Sequence, residues 1–338
     1  MTYIHKLIGV LGVLFLSVTS CNSEISEGPT SENSILKPSV EEENHKSAVI
    51  AYLMAEEYEP NTIRWNAITH INVSFLFPNA DGTLSDRQLR NSLTSIVNEA
   101  RQHDVKVIVS MRDEVAGRFS AAIANHRSEL ADNLLNYVRD NNLDGFDIDY
   151  EDWTGSNTAC NLIAFVKELY EKKDEGMIQT CAVNFTDRGY TKEWHKYFDY
   201  INIMAYDWHG PWNNEGQHSP YDESIRSVQF WETTMEAPAE KLVLGVPFYG
   251  YSWNEDDIPG KDYRYSQILA KYPNEDVAGR DQIDKLYYNG KTTIERKCNW
   301  AKENKIGGIM IWQIGQDAQD TNDSLLEAIG KIMIEKEE

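Results

Sequence analysis

The chain has 338 residues, 32 Lys and Arg against 54 Asp and Glu, a formal charge of −22 and 41% hydrophobic residues. That length holds one large core, which excludes a small disulfide-stapled scaffold. Nucleic-acid binding is excluded as well, because a phosphate backbone needs a clustered cationic surface to release its counterions. A neutral or cationic partner is favoured, and nine Trp and 18 Tyr supply flat amphipathic rings suited to sugar faces.

Residues 1–20 read as an export signal: His5 and Lys6 precede an apolar run of ten, LIGVLGVLFL over 7–16, too short to span a bilayer. The run leads through Val18, Thr19 and Ser20 into Cys21, which resembles the lipobox of bacterial lipoproteins. The resemblance implies acylation of Cys21 as the new N-terminus and a membrane anchor, stable where more than one chain is attached. The alternative is a plain secretory signal with an incidental cysteine. Residues 21–46 form an acidic tether; six Glu and two Lys over 22–46, with Pro and Ser between them, cannot bury a core. The expected location is the cell envelope, as a lipid-anchored domain on the outer membrane or cell surface. With Cys21 lipidated, Cys160, Cys181 and Cys298 can form at most one disulfide, and buried small hydrophobes are the better reading of all three.

From residue 47 to 338 the pattern is strand then helix, repeated. Eight β-branched runs are predicted as strands: 48–53, 68–77, 105–111, Gly145–Asp149, Ile178–Asn184, Tyr200–Met204, Leu242–Pro247 and Gly308–Trp312. Helical periodicity covers 87–103, 116–141 and 161–173. Eight repeats in about 290 residues predict an α/β fold of the TIM (β/α)8 barrel type, and the glycine fingerprint of a doubly wound dinucleotide fold is missing after the first strand. Residues 253–293 are too long for an ordinary connection. They are predicted as an elaborated loop with little regular pattern beyond a short helix at Tyr265–Lys271.

The stretch Asp144-Gly145-Phe146-Asp147-Ile148-Asp149-Tyr150-Glu151 carries the chemistry. Alternation along a strand puts Asp147, Asp149 and Glu151 on one face, about 6 to 7 Å apart in succession, and Phe146, Ile148 and Tyr150 on the other. Barrel interiors are normally filled by branched apolar side chains, so acids there need shared protons or hydrogen bonds. Three neighbouring acids do not all ionise cheaply, and a retained proton is a general acid. Glu151, at the mouth, is placed to deliver it, with Asp147 and Asp149 sharing a proton behind. A calcium loop fails, because the sixth and twelfth positions from Asp147 are Asp152 and Thr158 rather than Gly and Glu. A metal site lacks a histidine or second acid cluster to complete it, so neither metal nor cofactor is expected.

The motif DGFDIDYE resembles the DGxDxDxE signature of the family 18 glycoside hydrolases, the chitinases and their relatives. THINVSF over 69–75, Met204-Ala205-Tyr206-Asp207, LGVPFYG over 244–250 and GGIMIWQIGQD over 307–317 are similar to other strands of that family. The resemblance implies a retaining, substrate-assisted mechanism without a protein nucleophile. Glu151 would protonate the leaving oxygen and then activate water. Asp149 would accept the acetamido N–H, Asp147 would share its proton with Asp149, and Tyr206 would donate to the acetamido oxygen. Trp312 would floor the sugar subsite, with Tyr52, Phe75, Met204, Asp207, Trp212 and Gln316 around it, and with Trp208 and Trp153 as weaker candidates.

There are departures from the family pattern. The third strand ends Ser110-Met111-Arg112-Asp113 where the family has SxGG, Asp152 follows Glu151 in place of an aromatic, and 40 residues after the seventh strand are too few for a full chitinase insertion domain. A shallower cleft is expected. The expected activity is cleavage of β-1,4-linked N-acetylglucosamine in chitin or chitooligosaccharides. The alternatives are an endo-β-N-acetylglucosaminidase acting on the chitobiose core of N-glycans and a chitinase-like glycan-binding protein without turnover.

Overall fold

A computed structural model describes residues 47–151, 158–186 and 189–334. The export signal, Cys21, the tether and Trp153 lie outside the described residues. Among the described residues no helix is long and apolar enough to cross a membrane.

Eight parallel strands close into a barrel: β1 (Ala48–Met54), β2 (His70–Pro78), β3 (Lys106–Arg112), β4 (Gly145–Asp149), β5 (Ile178–Asn184), β6 (Tyr200–Met204), β7 (Leu242–Pro247) and β8 (Gly308–Trp312). Each pairs with the next in sequence, and β1 pairs with both β2 and β8, so no edge is left open. The predicted TIM barrel is the observed fold. Five strands match their predicted bounds, and the first three differ by one or two residues at their ends. Gly145 follows from this closure, since a Cβ there would lie 2.1 Å from the Ile178 carbonyl oxygen on β5.

Helices α1 (Leu93–Arg101), α2 (Arg118–Asn125), α3 (Arg127–Asp140), α4 (Thr158–Lys172), α5 (Tyr221–Gln229), α6 (Tyr265–Lys271), α7 (Lys291–Glu303) and α8 (Leu325–Met333) pack around the barrel. The helix predicted over 87–103 is confined to α1, because Leu89 and Arg90 turn back onto the Asp86 carbonyl. The one predicted over 116–141 is two helices, broken where His126 leaves helical geometry at φ −136°. Cys181 and Cys298 are fully buried. Cys160, by contrast, is exposed on α4 and held in a disulfide, so it is not the buried small hydrophobe expected.

The segment after β7 corrects the expectation of little regular pattern. Tyr249–Ser252 forms an antiparallel sheet with Lys261–Arg264 on one side and Leu286–Tyr287 on the other, and Gln282–Ile283 completes it. Two of these strands are two residues long, too short for alternation to register in a sequence. The short helix falls at its predicted bounds as α6.

Two apolar layers result. The outer one packs barrel strands against helices, with Phe119, Phe146, Phe165, Trp194 and Trp231 wholly enclosed. The inner one is narrow and aromatic: Ile50, Tyr52, Tyr206, Val243, Tyr249, Tyr251 and Met310, edged by Met204, Trp212, Trp253 and Trp312. Among the described residues, buried polar groups gather beside this inner layer around Asp147 and Asp149, with His70 and Asn72 on β2 as further buried polar residues.

Candidate active site

The parallel register runs in one row from Ser74 on β2 through Ser110 on β3 and Asp147 on β4 to Thr180 on β5. Register partners on parallel strands point to the same face, so the row delivers two hydroxyls to one carboxylate. Asp147 Oδ2 accepts from Ser110 Oγ at 2.7 Å and from the Tyr52 hydroxyl at 2.8 Å, and Oδ1 accepts from Thr180 Oγ1 at 2.6 Å. Asn202 Nδ2 lies 3.5 Å from the same Oδ1 and 3.3 Å from the Tyr52 oxygen. Burial raises the Asp147 carboxyl above its ordinary range, and the four donors pull the other way. Both oxygens are engaged, and no hydrogen bond joins Asp147 to Asp149 in this conformation.

Asp149, one register step nearer the mouth, is 4% exposed. Its Oδ1 is buried without a hydrogen-bond partner, and its Oδ2 lies 4.0 Å from Arg112 Nη1. Burial and the neighbouring Glu151 charge push the Asp149 carboxyl well above its ordinary value, against the pull of Arg112. Glu151 stands at the barrel mouth with its side chain 44% exposed and Oε1 3.8 Å from Arg112 Nη2. Asp144, the first acid of the motif, belongs to the opposite end. It is tied to Arg101, Lys106 and the Val107 amide, which outweigh its burial and hold it below the usual carboxylate range.

Across the barrel, the Tyr206 hydroxyl sits 3.9 Å from Met310 Sδ, and burial followed by the Asp207 charge pushes its phenol far above its ordinary value. It is a donor over the whole working pH range. Asp207 takes a left-handed backbone at φ +67° and accepts from the hydroxyls of Tyr249 at 2.6 Å and Tyr251 at 3.2 Å, with His218 Nδ1 3.5 Å away. Trp212 meets Tyr251 edge to face at 5.7 Å. Trp312 closes the floor, stacked on Phe75 at 5.8 Å and 24° and tilted against Tyr52 at 5.6 Å.

The structure therefore gathers Asp147, Asp149, Glu151, Tyr206, Asp207, Met204, Trp212 and Trp312 at one end of the barrel. Three of the expected sugar-lining residues are engaged by protein groups. Tyr52 is 2% exposed with its hydroxyl given to Asp147, so it stands behind the acids rather than facing a ligand. Phe75, 3% exposed, is covered by Trp312 on its ring and by the Arg112 guanidinium 4.8 Å from its centroid. Gln316 turns its Oε1 back toward the Gln313 amide within its own turn, while Gln313 Nε2 reaches Glu57 at 2.7 Å. Trp208 stacks on Phe185 at 4.2 Å and borders a separate groove of about 680 Å³ with His209, Tyr221 and Arg296.

Sequence reasoning missed Thr180 and Asn202, and also Tyr251, which donates to Asp207 and packs on Trp212. Thr180 and Asn202 left a signal, single polar residues at inward positions of otherwise apolar strands. Arg112 was visible only as a departure from a glycine motif.

A closed eight-stranded barrel whose fourth strand carries stepped acids to an aromatic-floored mouth defines a glycoside hydrolase of the TIM-barrel class. The family model described as glycosyl hydrolases family 18 matches residues 48–317, and the chain belongs to that family. Among solved structures, a chitinase from Bacteroides thetaiotaomicron is 38% identical with a TM-score of 0.81, covering 86% of this chain and 97% of that one. The family 18 chitinase from the chitin utilization locus of Flavobacterium johnsoniae is 32% identical with a TM-score of 0.75, covering 85% and 94%. A probable chitinase of Drosophila melanogaster is 26% identical over 273 residues, covering 63% of this chain and 56% of the relative. The chain thus spans just over half of that relative's length.

Proposed function

We propose that this chain hydrolyses β-1,4 bonds between N-acetylglucosamine units of chitin or chitooligosaccharides, with retention at the anomeric carbon. The observation that carries the reading is Asp149 Oδ1, a buried acceptor without a partner, next to the exposed acid Glu151 and above the floor set by Trp312. An acetamido N–H supplies the missing donor. A buried acceptor left unmade is expensive, so the site favours a ligand that brings one.

In the first step the acetamido oxygen attacks its own anomeric carbon, the glycosidic bond breaks, and the Glu151 proton passes to the leaving oxygen. Asp149 accepts the acetamido N–H and offsets the positive charge of the oxazolinium ring, while the Tyr206 hydroxyl donates to the acetamido oxygen. In the second step water attacks the anomeric carbon, Glu151 takes its proton, and the ring opens with the starting configuration restored. Asp147 carries the shared proton once Asp149 turns inward. The chitinase names of the relatives support a chitin-type substrate.

The Cys21 lipobox supports a lipid-anchored location in the cell envelope, with the tether giving the barrel reach toward a polymer. Product analysis on defined N-acetylglucosamine oligomers of increasing length, beside a high-mannose glycoprotein, tests the activity. Shortened oligomers with the β anomer formed first are expected. Release of intact glycans with no oligomer cleavage overturns the substrate assignment.

A further inference from the structure

The third strand ends in Arg112 where the family pattern has glycine, and the register explains where that side chain goes. Arg112 pairs with Asp149 in the β3–β4 ladder, just as Ser110 pairs with Asp147 two residues earlier. The arginine therefore enters the same face as the acids, one layer nearer the mouth. Its side chain is 22% exposed and its guanidinium lies over the Phe75 ring at 4.8 Å. Two of its nitrogens reach toward different carboxylates, Nη1 to Asp149 at 4.0 Å and Nη2 to Glu151 at 3.8 Å. Among the described residues it is the only cation in ion-pair range of either acid, and neither distance is a hydrogen bond.

We propose that Arg112 is a positioning residue for the acid strand: resting on Phe75, it is the counter-charge that holds Asp149 and Glu151 in their working arrangement and sets the pH range over which the pair functions. The charged surroundings make such a group necessary. Asp147 and Asp149 come from β4 and Glu151 from just beyond it, Asp113 follows β3, and Asp207 comes from the far wall, with the phenols of Tyr52 and Tyr206 nearby. Burial disfavours the Arg112 charge, yet Glu151, Asp149 and Asp113 outweigh it and raise its hold on the proton. A fixed cation favours the ionised form of a carboxylate beside it, and Arg112 pulls the Asp149 carboxyl down against burial and the Glu151 charge.

Glycine at this position would leave the acids to each other. Arginine lets the aromatic stack carry the charge: Phe75 is clasped between Trp312 and the guanidinium, and cation and sugar floor are parts of one assembly. Glu151, whose exposed side chain makes no other ion pair among the described residues, is thereby steered toward the mouth.

The inference rests on the proposed reaction for its kinetic readout, so the test has two arms. In the first, kcat/KM on an N-acetylglucosamine oligomer is followed against pH for the wild type, R112Q, R112M and R112K. The alkaline limb is expected to move up by about one pH unit in R112Q and R112M, with kcat down about tenfold, and to stay near wild type in R112K. Superimposable limbs in wild type and the neutral variants, or equal shifts in R112K and R112Q, overturn the proposal. In the second arm, the side-chain carboxyl carbons are titrated by ¹³C NMR in wild type and R112K, and in whichever neutral variant folds. A midpoint raised by loss of the charge and restored by lysine supports the role even if no oligomer is cleaved. An unchanged midpoint overturns it. Absence of cleavage by the wild type falls on the reaction alone.

Discussion

The Tyr52 hydroxyl donates to Asp147 Oδ2 at 2.8 Å, joining strands β1 and β4 across 95 residues of chain. Ser110 shares that oxygen, and Asn202 touches the Tyr52 oxygen from behind. Tyr52→Phe keeps the ring packed against Trp312 while removing one donor from a wholly buried carboxyl. The expected loss is about 1–3 kcal/mol of unfolding free energy in urea, with oligosaccharide affinity little changed. An equally stable variant with weakened binding would return Tyr52 to the sugar-facing surface.

Glu151 is the acid that faces the mouth, and its removal separates binding from turnover. Glu151→Gln keeps the shape and loses the transferable proton. Turnover of N-acetylglucosamine oligomers is expected to disappear while affinity by calorimetry stays within about fourfold, roughly 0.8 kcal/mol. Undiminished turnover in this variant rejects the assignment of the acid.

Trp312 offers its free face to a sugar because Phe75 and Tyr52 occupy the other sides of the ring. Trp312→Ala is expected to weaken oligosaccharide binding by about 1–1.5 kcal/mol, close to tenfold in Kd. Trp312→Phe recovers part of it. Binding that survives the alanine substitution intact would move the floor of the subsite elsewhere.

Lys297 on α7 provides a pH test away from the acids. It is fully buried, and its ammonium donates to the Ser219 carbonyl at 3.1 Å, Ser219 Oγ at 2.7 Å and Asn289 Oδ1 at 2.7 Å, with no carboxylate in contact. Burial lowers it from 10.5 to about 7. Between these values the unfolded chain binds a proton that the folded chain does not, so stability rises with pH across that window and is reduced below it. The slope is about 1.4 kcal/mol per pH unit. The wild type is expected to gain on Lys297→Met by about 2–3 kcal/mol between pH 6.5 and 9.5 in denaturant titrations. A gap between the two proteins that is constant with pH would mean that Lys297 stays charged throughout.

Much of the barrel was legible because its strands are local objects. A run such as Ile201 to Ile203 or Val243 to Val246 announces itself through β-branched residues, whatever packs on it. The break at His126 was not legible because helical periodicity runs across it, and the strands after β7 because two residues are too few for alternation to register. The acid ladder was readable for the same reason as the strands: side-chain period fixes that Asp147, Asp149 and Glu151 share a face.

The sequence alone thus determined the barrel, through its eight strand–helix repeats, the family, through motifs on several strands, and the order of the acids along one strand. Only the tertiary structure decided what each acid touches. Ser110, Thr180 and Tyr52 reach Asp147 from three other strands, and Arg112 reaches Asp149 because β3 pairs with β4 in one register and not another. A shift of one residue in that register would turn Arg112 to the opposite face, and no local pattern records the choice. Pairing between strands is settled by closure of the whole barrel, which is where the environment of the candidate site is made.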